Sequence, residues 1–254
     1  YYRLEECIML FDLSTNDKAK ETLATFLRLD LEKLETLLEE YSDDEPTECI
    51  KNYIPKDAQA IAERSTIKFF HITTTIDGFA SVKENGLLGL EELLSTNSSF
   101  TNFLKKNNID YNENKQTLLI EEKEIDINQE DWNNVKQRIT FDFNINGFYF
   151  IDDSNKNYSS VNKRPEFFFD LDTVLNGKYN LSDKWEKLSK SYLLEIEISW
   201  KDWGPNEVIE NFNEMLEILV ARAKSASCGV NEVCYVKRNK NILPQEIKTY
   251  IEIE

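Results

Sequence analysis

Three separated stretches of the chain hold side chains able to do chemistry together. The first is Phe69-Phe70-His71-Ile72-Thr73, followed by Asn85-Gly86-Leu87. The second runs from Asn146-Gly147-Phe148-Tyr149-Phe150-Ile151 through Asp152-Asp153-Ser154-Asn155-Lys156 to Tyr158-Ser159. The third is Asn231-Glu232-Val233-Cys234-Tyr235-Val236, followed by Asn241-Ile242-Leu243-Pro244. Tyrosine rings offer flat aromatic faces on which a planar group can lie. A carboxylate can accept a hydrogen bond from a hydroxyl and stabilise positive charge that develops beside it. A histidine and a hydroxyl at the end of a strand can fix a polar group. Taken singly, each residue also has an ordinary structural part. A lone His is often packed or at the surface, Thr73 can bond locally at a helix start, an aromatic strand such as Phe148-Tyr149-Phe150 is usually core, Tyr158 can anchor a loop, and a Glu at a strand start is usually exposed.

Other chemistries are disfavoured. The four cysteines, Cys7, Cys49, Cys228 and Cys234, form no metal-binding spacing, and His71 is the only histidine, so no metal is expected. Cys228 and Cys234 flank a strand start, which allows a disulfide, but four free thiols in a reducing compartment is the favoured expectation. The Glu121-Glu122-Lys123-Glu124 and Asp43-Asp44-Glu45 clusters read as solvated loops. The net charge of −17 repels nucleic acid and anionic membranes at long range. Lys156, Lys163 and Arg164 nevertheless come close together and leave room for a local basic groove, although Arg164-Pro165-Glu166 reads first as a surface turn. No apolar run has the length that spans a bilayer. Tyr1 to Glu6 lack the basic start and apolar stretch of a signal peptide. No membrane partner is expected.

The elements that must position these residues can be read from periodicity. Residues 1–62 read as helical, with Phe26, Leu27, Leu31, Leu34, Leu37 and Leu38 forming one apolar stripe at helical spacing. A break follows at Ser42 to Pro46, and a short helix runs from near Pro55 to Glu63. From Ile67 the texture changes. Ile67–Ile72 predicts a strand, Ile76–Glu84 a short helix stopped at Asn85-Gly86, and Leu90–Leu94 another helix before a polar loop through Ser99. Further strands are expected at 117–126, Gly147–Ile151, Glu166–Phe169 and Tyr192–Trp200. The last alternates Leu194, Ile196 and Ile198 with Glu195, Glu197 and Ser199. Pro205 opens a long helix through Lys224, under which Trp200 and Trp203 are expected to pack. Strands at Glu232–Lys237 and Glu246–Glu252, joined through a turn at Pro244, close the chain. The expected fold class is α+β, with a helical segment at 1–65 capping a domain at 66–254.

In these motifs the chain resembles the ADP-ribosyltransferases of the diphtheria-toxin and poly(ADP-ribose) polymerase group over roughly residues 66–254. Those proteins carry a strand ending in His-x-Ser/Thr, a short helix leading to a Gly-hydrophobic pair, a Gly-hydrophobic-Tyr strand with a second Tyr beyond it, and a strand beginning at a catalytic Glu. All three stretches follow that order here. The resemblance implies a split mixed β-sheet core with flanking helices, and NAD as substrate. It implies that Glu232 is the catalytic carboxylate, that Tyr149 and Tyr158 stack on the nicotinamide, that His71 holds the adenine-side ribose, and that Ile72 (through its backbone) and Thr73 lie at the nicotinamide pocket. Cleavage of the nicotinamide–ribose bond builds an oxocarbenium-like centre, as glycoside cleavage does, and those residue types suit it. The chain departs from the pattern at Ile72, where the family usually has Gly, and in a Tyr149–Tyr158 spacing about two residues short. Val230 stands where the arginine-modifying branch has Glu or Gln, which argues against that branch. The implied activity is transfer of a single ADP-ribose to a macromolecular acceptor, with protein favoured over nucleic acid on charge. The implied setting is a toxin, a phage-defence factor, or a secreted effector working in a host cytosol, the cytoplasm being the expected location. Water as acceptor would make the chain an NAD glycohydrolase, and loss of activity would leave a binding module.

Overall fold

A computed structural model describes residues 9–40, 47–141, 144–156, 158–204, 208–224, 233–237 and 239–254. In chain order the regular elements are β1 (Leu10–Phe11), α1 (Asn16–Leu27), α2 (Leu31–Glu40), α3 (Ala58–Ala62), β2 (Thr66–Thr75), α4 (Ala80–Asn85), α5 (Leu90–Ser95) and α6 (Ser99–Lys106). Then come β3 (Ile109–Asn112), β4 (Thr117–Ile120), β5 (Lys123–Ile125), α7 (Asn133–Thr140), β6 (Gly147–Phe148) and α8 (Asp153–Lys156). The remainder are α9 (Glu166–Val174), α10 (Leu181–Glu186), β7 (Lys190–Ser199), α11 (Val208–Lys224), β8 (Val233–Cys234) and β9 (Ile247–Ile253). The chain is α+β. No helix among the described residues is long and apolar enough to cross a membrane.

Two compact units divide the chain differently from the expected 1–65 and 66–254. The first takes Tyr1–Phe70, Asn146–Ile151 and Glu195–Lys237, and the second His71–Ile145, Asp152–Leu194 and Arg238–Glu254. Strands β2 and β7 contribute residues to both.

In the first unit the N-terminal segment is not wholly helical, because β1 pairs in parallel with the start of β2, Leu10 opposite Thr66 and Phe11 opposite Ile67. The predicted stripe from Phe26 to Leu38 is two helices. Arg28 takes a left-handed conformation (φ 58°, ψ 39°) and ends α1, the Leu29 N–H returns to the Ala24 carbonyl, and Asp30 Oδ1 accepts from the Lys33 N–H at 2.8 Å to start α2. Apolar spacing passes through that corner uninterrupted, so periodicity alone cannot see it. Helix α1 packs on α11. Rings of Phe11, Phe26, Trp200 and Phe212 meet at centroid distances of 5.1 to 6.3 Å, and Trp203 joins Trp200 at 5.1 Å. The expected packing against the long helix is thus present for Trp200, through Phe212, with Trp203 packed behind it on Trp200; Pro205 itself lies outside the described residues. Two cations, the half-buried Lys68 and the buried Arg222, tie the unit together. Lys68 bridges Asp12 at 3.1 Å and Glu195 at 2.9 Å. Arg222 lies 3.8 Å over the Phe150 ring and donates to the Leu13 and Ser14 carbonyls.

In the second unit β7 is flanked by β9, and a meander of β3, β4 and β5 packs with helices around an aromatic core of Phe100, Phe103, Phe167, Phe168 and Trp185. Phe100 and Phe168 stack at 4.8 Å, and Trp185 meets Phe103 edge-on at 5.1 Å. The expected strand at Glu166–Phe169 is a helix, α9. Pro165 sets its start, and Phe167, Phe168 and Leu171 are buried while Phe169 is exposed, a spacing that only a helix satisfies. The strand expected over 117–126 is a hairpin, folded at Glu121 and Glu122 with positive φ at both. The polar loop expected through Ser99 gives way to α6, which Ser98 and Thr101 start with reciprocal side-chain bonds.

Candidate functional site

Phe70 on β2 pairs with Phe148 on β6, and Phe148 pairs with Val233 on β8. All three belong to the first unit. Phe70 immediately precedes His71, Phe148 precedes Tyr149, and Val233 follows Glu232. Three motifs far apart in sequence therefore sit on three adjacent antiparallel strands, in the order β8-β6-β2. The motif glycine has a physical reason to be there. A Cβ on Gly147 would strike the Phe70 carbonyl and the Phe69 ring, so only glycine lets β6 approach β2 this closely.

The individual side chains fall differently. His71 and Thr73 lie two apart on β2, share a face, and are half-buried. Ile72 lies between them and points to the opposite face, 5% exposed. The residue that replaces the family's glycine thus puts its side chain into core, and only its backbone is left to serve a pocket on the His71 face. Tyr149 is 1% exposed, and its hydroxyl accepts from Trp203 Nε1 at 2.7 Å. Burial pushes the phenol pKa well above its usual value, with the neighbouring Cys234 adding to the effect. The ring is enclosed, so a planar group could stack on it only by displacing a neighbour. Cys234 is a free, fully buried thiol, and burial raises its pKa so that it stays protonated and inert. Cys228, with which the sequence allowed it a disulfide, lies outside the described residues. Trp203 also bridges to Val236. Neither Trp203 nor Cys234 was distinguishable by spacing as a partner of Tyr149.

In the second unit Tyr158 is 58% exposed at the start of a tight turn, where Ser159 and Ser160 both have positive φ. Just before it, Asp152 and Asn155 bond each other's N–H groups at 2.8 and 3.0 Å and start α8. Arg164 lies 4.7 Å over the Phe169 ring, which fits the surface-turn expectation. The Asn85-Gly86 stop is confirmed as a helix end, but Gly86 adopts φ 77° and ψ −155°, and a Cβ there would strike the Ile242 carbonyl. Leu87 and Ile242 pair backbone to backbone, and the Gly89 N–H donates to Asn241 Oδ1 at 3.0 Å. The Gly-Leu pair after the first motif and the Asn-Ile-Leu-Pro run after the third are thereby joined.

Glu232, with Val230 and Asn231, lies outside the described residues. Among the described residues no group of His, Cys, Asp and Glu is arranged to hold a metal. The second unit also carries an open cleft of roughly 500 Å³, which sequence reading did not find. Asn134, Gln137, Arg138 and Phe141 line it from α7 and its end, and Asp170 from α9. Arg138 is engaged there by Glu166 and Asp170, both at 2.9 Å. Compared with protein-family models, with curated proteins and with solved structures, the chain matches none.

Proposed function

We propose that this chain cleaves NAD at the nicotinamide–ribose bond and transfers the ADP-ribose to a macromolecular acceptor, a protein in preference to a nucleic acid. The observation that carries the reading is the adjacency of β2, β6 and β8, because it gathers three motif segments that the sequence holds far apart. In this reading His71 and Thr73, on one face of β2, hold ribose and carboxamide, and the backbone of Ile72 contributes beside them. Tyr158, the exposed ring, stacks on the nicotinamide. Tyr149, held by Trp203, is given a positioning part: it fixes β6 beside β8, the strand that follows Glu232. Glu232 accepts a hydrogen bond from the ribose 2′-hydroxyl and stabilises the oxocarbenium-like centre. The nicotinamide leaves with the bonding electron pair, and a nucleophile on the acceptor closes on C1′ of the ribose and loses its proton. The role as toxin, effector or phage-defence factor belongs to the same proposal.

The test is to incubate the chain with NAD labelled in the adenosine half and a cell lysate, following both label transfer and nicotinamide release. Label on a macromolecule, lost with Glu232→Gln, supports transfer. Nicotinamide release without labelled acceptor supports hydrolysis by the same residues. Release no greater than that of Glu232→Gln sinks both and leaves a binding module, the reading that the enclosed ring of Tyr149 would favour.

A further inference from the structure

Strand β9 is a seven-residue strand with solvent along most of its length. Among the described residues it pairs with β7 on one side and stands at the end of the strand order. Tyr250 is 37% and Ile251 56% exposed. A long, partly apolar edge of this kind invites another strand. Chains that stay single blunt such an edge with proline, a bulge or unmatched charge. Here the one lysine, Lys248, has a glutamate, Glu252, four residues on.

That spacing selects a partner. We propose that β9 pairs antiparallel with β9 of a second copy of this chain, about a two-fold axis at Tyr250. In this register Tyr250 faces Tyr250 of the second copy, Lys248 faces Glu252 of the second copy, and Glu252 faces Lys248 of the second copy. On the other face Ile247, Thr249, Ile251 and Ile253 oppose Ile253, Ile251, Thr249 and Ile247 of the second copy, a stripe of β-branched side chains in which every pair holds at least one isoleucine. This register alone overlaps all seven residues. A slip of one residue would set opposite faces against each other. A slip of two leaves a charge opposite Tyr250. Within the chain Glu252 is bridged by Lys190 of β7 at 2.9 Å, so Lys190, Glu252 and Lys248 of the second copy would form a ladder of alternating sign across three strands. The charges that repel an unrelated strand therefore attract an identical one.

The full chain is followed by sedimentation equilibrium at physiological salt, where screening limits repulsion between two acidic copies. Loading should reach on the order of 100 µM, because a single strand pair buries less than the roughly 1,200 Å² of a standard interface. The expected result is a monomer–dimer equilibrium. Lys248→Glu and Glu252→Lys each act twice across the axis and should each weaken the dimer by about tenfold, since cross-strand charge pairs contribute up to about 1 kcal/mol each. The combined variant Lys190→Glu/Lys248→Glu/Glu252→Lys restores opposite charges along the whole ladder, the bridge within the chain included, and should return the affinity to near that of the original chain. A monomer throughout, a dimer indifferent to the single changes, or a combined variant no tighter than the single ones would each overturn the proposal.

Discussion

Each compact unit buries an indole N–H against a hydroxyl. In the first, Trp203 donates to Tyr149 at 2.7 Å; in the second, Trp185 donates to Thr74 at 2.8 Å. The bonds are alike and the settings are not. Trp185 is packed among the Phe100, Phe103 and Phe168 rings, where aromatic area supplies most of the stabilisation. Among the described residues Trp203 meets the Trp200 ring, and its bond to Tyr149 instead lies where the β6 motif runs beside the β8 motif. The same interaction is therefore one contribution among many in the second unit, whereas in the first it bears on the strands that carry the proposed chemistry.

The largest effect should separate chemistry from packing. Glu232→Gln is expected to lower NAD turnover by about 10²–10³-fold, the scale of losing one electrostatic stabiliser, with an unchanged urea midpoint. Next, Trp185→Ala should cost about 3–5 kcal/mol of stability, read by urea unfolding. Gly147→Ala forces a methyl against the Phe70 carbonyl and should cost about 1–3 kcal/mol. If its unfolding is indistinguishable from that of the original chain, the close approach of β6 to β2 is wrong.

The two bonds can then be compared directly. Tyr149→Phe and Thr74→Val each leave an indole N–H without its acceptor, at about 1–3 kcal/mol. If Tyr149 is a positioning residue, its loss should also reduce NAD turnover more than the loss of Thr74 does at matched stability. Equal effects would remove the distinction between the units. The smallest effect is acid sensitivity. Burial raises the Asp12 pKa, but bonds from Ser14 and the Lys68 ammonium outweigh it, so the folded value lies below the usual 3.8. A depressed carboxylate stabilises the fold above its unfolded pKa, and that contribution is lost as pH falls through the folded value. Stability should drop below about pH 4, and Asp12→Asn should flatten that part of the profile, as followed by thermal melts between neutral and acid pH.

Much of the fold was legible where one face of a strand is buried. Along β7, Leu194, Ile196 and Ile198 are wholly buried and alternate with half-buried Glu195, Glu197 and Ser199, because period two survives any environment that is dry on one side only. The motif order of the candidate site was legible too, since it needs only residue types in sequence. What failed were runs in which every residue is apolar or polar. Phe167-Phe168-Phe169 carries no period, so strand and helix fit it equally until the Phe100 and Trp185 rings are in place. The corner at Arg28 and the hairpin at Glu121-Glu122 depend on left-handed backbone at residues other than glycine, which composition does not announce.

By itself, then, the sequence determined which residues can do chemistry, the α+β class, and the strands whose alternation matches their burial. Those are properties of side-chain type and short-range spacing. Only the tertiary structure decided that three motif strands are neighbours, that Tyr149 is enclosed while Tyr158 is exposed, and that Ile72 turns away from His71. Strand pairing brings together residues more than sixty positions apart, and burial depends on what covers a side chain, so neither is encoded in the spacing of any one segment.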